Sequence, residues 1–205
     1  MSGGAIVGVD VGGTFTDVFA IDPRSGRATI AKVPTTPENQ ADGFARGVKQ
    51  GAGAAAGIDT IVHGTTVGTN ALLQRRGGRI GMIVTAGFRD VLEMRRRDRP
   101  QTWGLWGSYT PVVPRDFSIE VAERTLADGS VRQAMDGAEV CAAAERLAAQ
   151  GAEALVIFFV NSYANDANER AAATAAREVW PNEFVMASSE ILPEIREFER
   201  ASTAA

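Results

Sequence analysis

Residues 8–17 read Gly8-Val9-Asp10-Val11-Gly12-Gly13-Thr14-Phe15-Thr16-Asp17, and this stretch constrains the fold more than any other. An apolar run at 5–11, broken only by Gly8 and Asp10, stops at two glycines and a threonine, and a second strand-like run follows at 16–21. A dinucleotide fold needs a helix after its glycines, and a P-loop needs Gly-Lys-Ser/Thr, so the stretch fits neither. A third run at 27–33 lies beyond the turn Asp22-Pro23-Arg24-Ser25-Gly26, which predicts a three-stranded antiparallel meander.

A strand ending Asp10-Val11-Gly12-Gly13-Thr14 puts a carboxylate, two residues without side chains and a hydroxyl at one point, the outline of a phosphate and metal site. Glycines let backbone N–H groups approach an oxyanion, Thr14 and Thr16 add hydroxyl donors, and Asp10 can hold a divalent cation directly or through water. Asp17 either joins that site or caps the second strand. The plain alternative is a tight hairpin whose glycines supply positive φ while Asp10 bonds to local backbone. A carboxylate buried in an apolar strand is expensive unless a metal or a set of N–H donors offsets it, which favours the site.

After the meander, helical and strand patterns alternate. Thr36 with Pro37 reads as the start of a helix carrying Ala41, Phe44, Ala45 and Val48 on one face. A strand at 58–62 leads through Gly64-Thr65-Thr66 into a helix over 67–76 that stops at Gly77-Gly78, and 79–85 is again a strand. From 87 to 114 no period is sustained, and an excursion is expected over about 87–135. Asp136 and Glu139 form a capping box for a helix buried through Val140, Ala144, Leu147 and Ala148 and ending at Gly151. A strand at 154–160, a helix capped by Asn165 and facing inward through Ala172, Ala175, Ala176 and Val179, and a strand at 183–187 close the series. The alternation predicts an α/β sheet covered by helices on both faces.

His63, the one histidine, stands where a strand gives way to a helix, and Asn161-Ser162-Tyr163 occupies another strand end; ligands collect at such ends in open α/β sheets, although both also suit ordinary structural roles. Thr65 and Thr66 read as helix caps or as anion donors. Arg95-Arg96-Arg97 reads as a solvated charge run, while Trp103 and Trp106 could line an apolar pocket or an interface. With 21 basic and 25 acidic residues the chain is no candidate for nucleic acid. No segment approaches the roughly 20 apolar residues of a membrane span, and the start lacks a secretory pattern, so a cytoplasmic protein is expected. Cys141, the single cysteine, excludes a disulfide within the chain and reads as a core residue.

The 8–17 stretch, together with His63-Gly64-Thr65-Thr66-Val67-Gly68-Thr69-Asn70-Ala71-Leu72-Leu73, Thr85-Ala86-Gly87-Phe88-Arg89-Asp90-Val91-Leu92-Glu93, Ser162-Tyr163-Ala164-Asn165 and Pro193-Glu194-Ile195-Arg196-Glu197-Phe198-Glu199-Arg200, resembles the N-terminal region of the hydantoinase/oxoprolinase A-subunit family. The resemblance covers nearly all of 1–205. It implies an actin-like ATPase lobe of ribonuclease H-like type, with ATP and Mg²⁺ as cofactors. It further implies phosphorylation of a carbonyl oxygen, for hydrolysis of a cyclic amide such as a hydantoin or 5-oxoproline or for carboxylation of a ketone. Asp10 is then the metal-binding and catalytic residue, His63 a second catalytic candidate, and Gly12, Gly13, Thr14, Thr16, Asp17, Thr65 and Thr66 the nucleotide-binding set. A second lobe and a B-type subunit are the implied partners, because the chain stops before a second phosphate turn. Met94-Arg95-Arg96-Arg97 departs from the Ile-Gly-Arg-Gln type of segment in hydantoinase-like members and looks closer to the ketone-carboxylase branch. A sugar or small-metabolite kinase lobe and a non-catalytic binding domain are the rival readings.

Overall fold

A computed structural model of the chain describes residues 4–36, 38–53, 57–75, 77–96 and 109–205. The residues form two compact units, Met1–Gly77 and Gly78–Ala205.

The first unit opens with the expected meander: β1 (Ala5–Val11), β2 (Phe15–Ile21) and β3 (Ala28–Pro34) run antiparallel, with Val11 opposite Thr16 and Asp17 opposite both Asp10 and Lys32. Helix α1 (Gln40–Ala52) carries the chain to β4 (Ile58–Thr65), which pairs parallel to β1, and α2 (Val67–Leu73) follows. The sheet order is β3-β2-β1-β4. Because side chains alternate across a strand, Val7, Val9, Val11, Val18, Ala20 and Ala31 share one face, and Val48 of α1 packs on it.

Helix α1 departs from its expected stripe. Gly43, Gly47 and Val48 are buried with Gly51, Phe44 is half-buried, and Ala41 and Ala45 are exposed. Glycine is invisible to a hydrophobicity count, yet here it lets backbone meet sheet: a Cβ on Gly47 would lie 2.8 Å from Val18 Cγ2. The cap also moves. Asn39 Oδ1 accepts from Ala41 N at 3.2 Å, while Thr36 Oγ1 accepts from Gly43 N at 2.9 Å and donates to Asn39 O; Pro37 lies outside the described residues. Among the described residues helices cover only one face of this sheet, for Phe19, Val62 and Ile30 on the other are 47%, 61% and 77% exposed. Helix α2 stops at Leu73, short of Gly77-Gly78, and Arg75 takes a left-handed φ of 50°.

The second unit is a parallel sheet of order β10-β9-β5-β6, built from β5 (Ile80–Thr85), β6 (Ser118–Val121), β9 (Ala154–Phe158) and β10 (Val185–Ala187), beside a ribbon of β7 (Arg124–Thr125) and β8 (Val131–Gln133). Here both faces are covered. Ile83, Leu155 and Ile157 meet α4 (Gly137–Ala149) and α5 (Ala167–Val179). Met82, Val84, Val156 and Phe158 meet Leu92 of α3 (Val91–Met94) and Ala201 of α7 (Glu197–Ala204). Each such fully buried aliphatic contributes about 1.5–3 kcal/mol. A four-residue helix α6 (Ser188–Ile191) follows β10.

Asp136 caps α4 by accepting from Ala138 N, but Glu139 accepts from Ala122 N instead of closing the expected box. Asn165 Oδ1 accepts from Ala167 N at the start of α5, as the sequence predicts. Within the expected 87–135 excursion, β6 returns to the sheet beside β5; its four residues are too short to show a period. Trp103, Trp106 and Arg97 lie outside the described residues, whereas Arg95 stacks over Tyr109 at 4.4 Å and Arg96 pairs with Glu199 at 2.5 Å. Cys141 is half-buried and donates to Ala175 O. Among the described residues no helix is long and apolar enough to cross a membrane.

Candidate functional site

The β1–β2 turn is narrow: Gly12 N donates to Phe15 O at 3.0 Å, leaving Gly13 and Thr14 at its exposed tip. Neither glycine adopts a left-handed φ, so backbone conformation does not explain the pair. Their lack of side chains keeps the tip open instead. The turn is held from two sides. From the end of β3, Thr35 Oγ1 donates to Gly12 O at 2.9 Å and Thr35 N donates to Thr14 O at 3.0 Å. From the end of β4, Thr66 N and Thr65 Oγ1 both donate to Val11 O. Asn70 of α2 reaches the tip as well, its Nδ2 lying 3.6 Å from where a Gly13 Cβ would stand.

One rung of the sheet reads Lys32, Asp17, Asp10, Gly64 across β3, β2, β1 and β4. Lys32 Nζ reaches the Asp17 carboxylate at 3.0 Å, which leaves Asp10 as the carboxylate of the rung without a cation among the described residues. Asp10 is exposed, contrary to the burial expected for it, because it points to the face shared by the exposed Phe19, Ile30 and Val62. It lines an open hollow of about 420 Å³ with Gly8, Asp17, Phe19, Ile30, Val62 and Gly64. A Cβ on Gly64 would lie 3.7 Å from Asp10 Oδ1, so the glycine keeps room beside the carboxylate. Among the described residues no group of three or more His, Cys, Asp or Glu could cage a metal. A hydrated Mg²⁺ asks for less, one or two carboxylates plus substrate phosphates, and Asp10 next to the open tip fits that requirement.

The other expected site residues divide. Thr16 is fully buried on the helix side, and its hydroxyl meets Thr35 Oγ1 at 3.1 Å, so it holds the turn and does not face solvent. His63 pairs with Val9 in register and therefore also faces the helix side, edge-on to Phe44 with ring centroids 5.2 Å apart. It lines a separate hollow with Val11, Gln40, Ala41 and Phe44. The sheet thus stands between His63 and Asp10. Thr66 precedes α2 but makes no capping bond; its hydroxyl accepts from Asn70 Nδ2 at 3.1 Å.

Residues 6–180 match the family described as the hydantoinase/oxoprolinase N-terminal region. The chain belongs to the hydantoinase/oxoprolinase family. It is 33% identical over 208 residues to the caprolactamase alpha subunit of Pseudomonas jessenii, covering 96% of this chain and 30% of that protein. It is likewise 33% identical over 222 residues to the acetophenone carboxylase gamma subunit of Aromatoleum aromaticum, covering 97% and 30%. A nucleotide-free structure of acetone carboxylase, an enzyme of ATP-dependent acetone carboxylation, superimposes with a TM-score of 0.81 at 28% identity over 95% of this chain and 30% of that one. The mixed α/β architecture is that of an ATPase-like lobe, and the chain spans about 30% of the length of these relatives.

Two further stretches that stood out in the sequence hold structure together. Asn161 takes a left-handed φ of 60°, donates from Nδ2 to Thr125 O, and offers its N–H to Glu197. Arg200 is fully buried, donating to Phe159 O and Glu194 O and pairing with Glu197. At the end of β5, Thr85 donates to the buried Glu123, whose other oxygen accepts from Asn168 Nδ2 at 2.8 Å. Desolvation pushes the Glu123 carboxyl above its ordinary range despite those two donors. At the ends of β5 and β9 the polar groups of Thr85, Glu123 and Asn161 are therefore spent on internal bonds, while Ser162, Tyr163 and Asn165 line an open hollow of about 410 Å³. Thr35, Lys32 and Asn70 are the neighbours of the turn that sequence reasoning missed. Thr35-Thr36 after an apolar strand was the available signal, but only the strand register shows that Thr35 reaches Gly12.

Proposed function

We propose that the chain is the nucleotide-handling N-terminal part of an ATP-dependent enzyme that phosphorylates a carbonyl oxygen, in order to hydrolyse a cyclic amide or carboxylate a ketone. One observation carries the reading: an open turn at Gly12, Gly13 and Thr14 lies beside Asp10, an exposed carboxylate with no cation paired to it among the described residues. Relatives that act on caprolactam, acetophenone and acetone supply the two reaction classes, whose substrates share a carbonyl group. The oxygen of an amide or enolate attacks the terminal phosphorus of ATP, the bond to the bridging oxygen breaks, and ADP leaves. The new phosphate ester makes that oxygen a leaving group for attack by water, or marks the ketone for a carboxylating partner.

In this reading the Gly13 N–H and the Thr14 hydroxyl hold phosphate oxygens, and Asp10 holds Mg²⁺, which neutralises phosphate charge when bound. Asp17 tempers the local field through Lys32. Thr65 and Thr66 support the turn from β4, and His63 serves a substrate approaching from the helix side. The remainder of a longer protein supplies the second phosphate grip, and a B-type subunit completes the enzyme. The test is ATP consumption by the longer protein with ε-caprolactam or acetophenone. Substrate-stimulated turnover is expected, reduced at least about 100-fold in Asp10→Asn. Stable phosphorylation of a hydroxyl substrate, or unchanged turnover in the variant, would contradict the reading.

A further inference from the structure

The glycine turn is open, but openness alone does not aim a backbone donor. The peptides here are trans, and a planar trans peptide directs its C=O and the following N–H to opposite sides. The Gly12 carbonyl accepts the Thr35 hydroxyl at 2.9 Å. Holding that carbonyl toward β3 turns the Gly13 N–H the other way, out of the tip, and it has no backbone partner among the described residues. Thr35 has one hydroxyl proton, which Gly12 O takes. The 3.1 Å contact between the two hydroxyls is therefore a donation from Thr16 to Thr35, which removes Thr16 as a donor to ligand and recruits it to fix the Thr35 rotamer. Thr35 N, bound to Thr14 O, closes the brace.

Resting on the phosphate-binding reading above, we propose that Thr35, steadied by Thr16, is a positioning residue that presets the Gly13 N–H for an incoming phosphate oxygen. The hydroxyl acts through the peptide plane and does not touch nucleotide. Such a brace removes the need to reorient the turn on binding, so it acts on affinity as well as on stability. The neighbouring Thr36 ties the same segment to α1 through Gly43 N and Asn39 O, giving the brace a rigid base.

The experiment is an NMR titration with Mg-ATP of a longer protein containing the chain, following the Gly13 amide, in wild type, Thr35→Val and Thr35→Ser. Wild type shifts saturably at Gly13. Thr35→Val, which keeps shape and loses the hydroxyl, weakens the apparent Kd by roughly tenfold, and Thr35→Ser restores it. Equal binding by Thr35→Val, or equal weakening by Thr35→Ser, overturns the proposal while leaving the phosphate site standing. A wild-type protein whose Gly13 and Thr14 amides ignore saturating Mg-ATP, with the longer protein's second grip present, overturns the phosphate reading itself. Amide exchange of the free wild type needs no variant to fold: the outward Gly13 N–H must exchange faster than the bonded Gly12 N–H, and the reverse order overturns the brace.

Discussion

At the scale of single residues, Glu123 and Asp10 show how differently two carboxylates in one chain are treated. Glu123 is buried, and desolvation raises its pKa; Glu197 is raised for the same leading reason, with Arg200 pulling the other way. A carboxyl with a raised folded pKa stabilises fully below its unfolded pKa and loses that contribution as pH climbs through the folded value. The urea midpoint of the second unit should therefore rise as pH falls from 7 toward about 5, and Glu123→Gln should flatten that rise. A midpoint that falls over the same range in wild type would show the opposite coupling. Asp10 stood out as a candidate site residue from its place in an apolar strand, but the burial expected of it there is not found. It is exposed, because alternation sends it to the face of Phe19, Ile30 and Val62. Thr16 was legible as a hydroxyl near the turn, but which face it took depended on a register that one sequence does not display.

At the scale of elements, α1 carries the clearest stability prediction. A methyl group on Gly47 would meet Val18 Cγ2 at 2.8 Å and Val33 Cγ2 at 3.3 Å, so Gly47→Ala should lower stability by about 1–3 kcal/mol in urea unfolding. Gly68 in α2 has nothing within 4 Å of its would-be Cβ, and Gly68→Ala should raise stability by about 0.5–1 kcal/mol. The same sign for both would refute the close approach of α1 to its sheet. The meander was readable because three apolar runs and one Asp-Pro turn leave few alternatives, and α4, β9 and α5 because their caps and stripes agree. The α1 contact was not readable, since glycines at intervals of four look like a weak helix until the neighbouring strand is present. β6 and the ribbon of β7 and β8 escaped for a simpler reason: strands of two to four residues carry no period.

At the scale of the whole molecule, family membership joins two units that differ in kind, one a mixed sheet opened by antiparallel strands and the other a parallel sheet wrapped on both faces. The first carries the candidate phosphate turn. In the second, Thr85, Glu123 and Asn161 spend their polar groups on internal bonds at the ends of β5 and β9, so within Asn161-Ser162-Tyr163 the asparagine holds structure while Ser162 and Tyr163 border an open hollow. Because the chain spans about 30% of its relatives, the turn is expected to act as one half of a grip, and this chain alone should bind Mg-ATP far more weakly than a longer protein containing it. The most direct test of the turn is calorimetric titration of Mg-ATP into that longer protein, wild type against Asp10→Asn. Saturable binding that the substitution abolishes is the predicted result; undiminished affinity in Asp10→Asn would contradict the assignment.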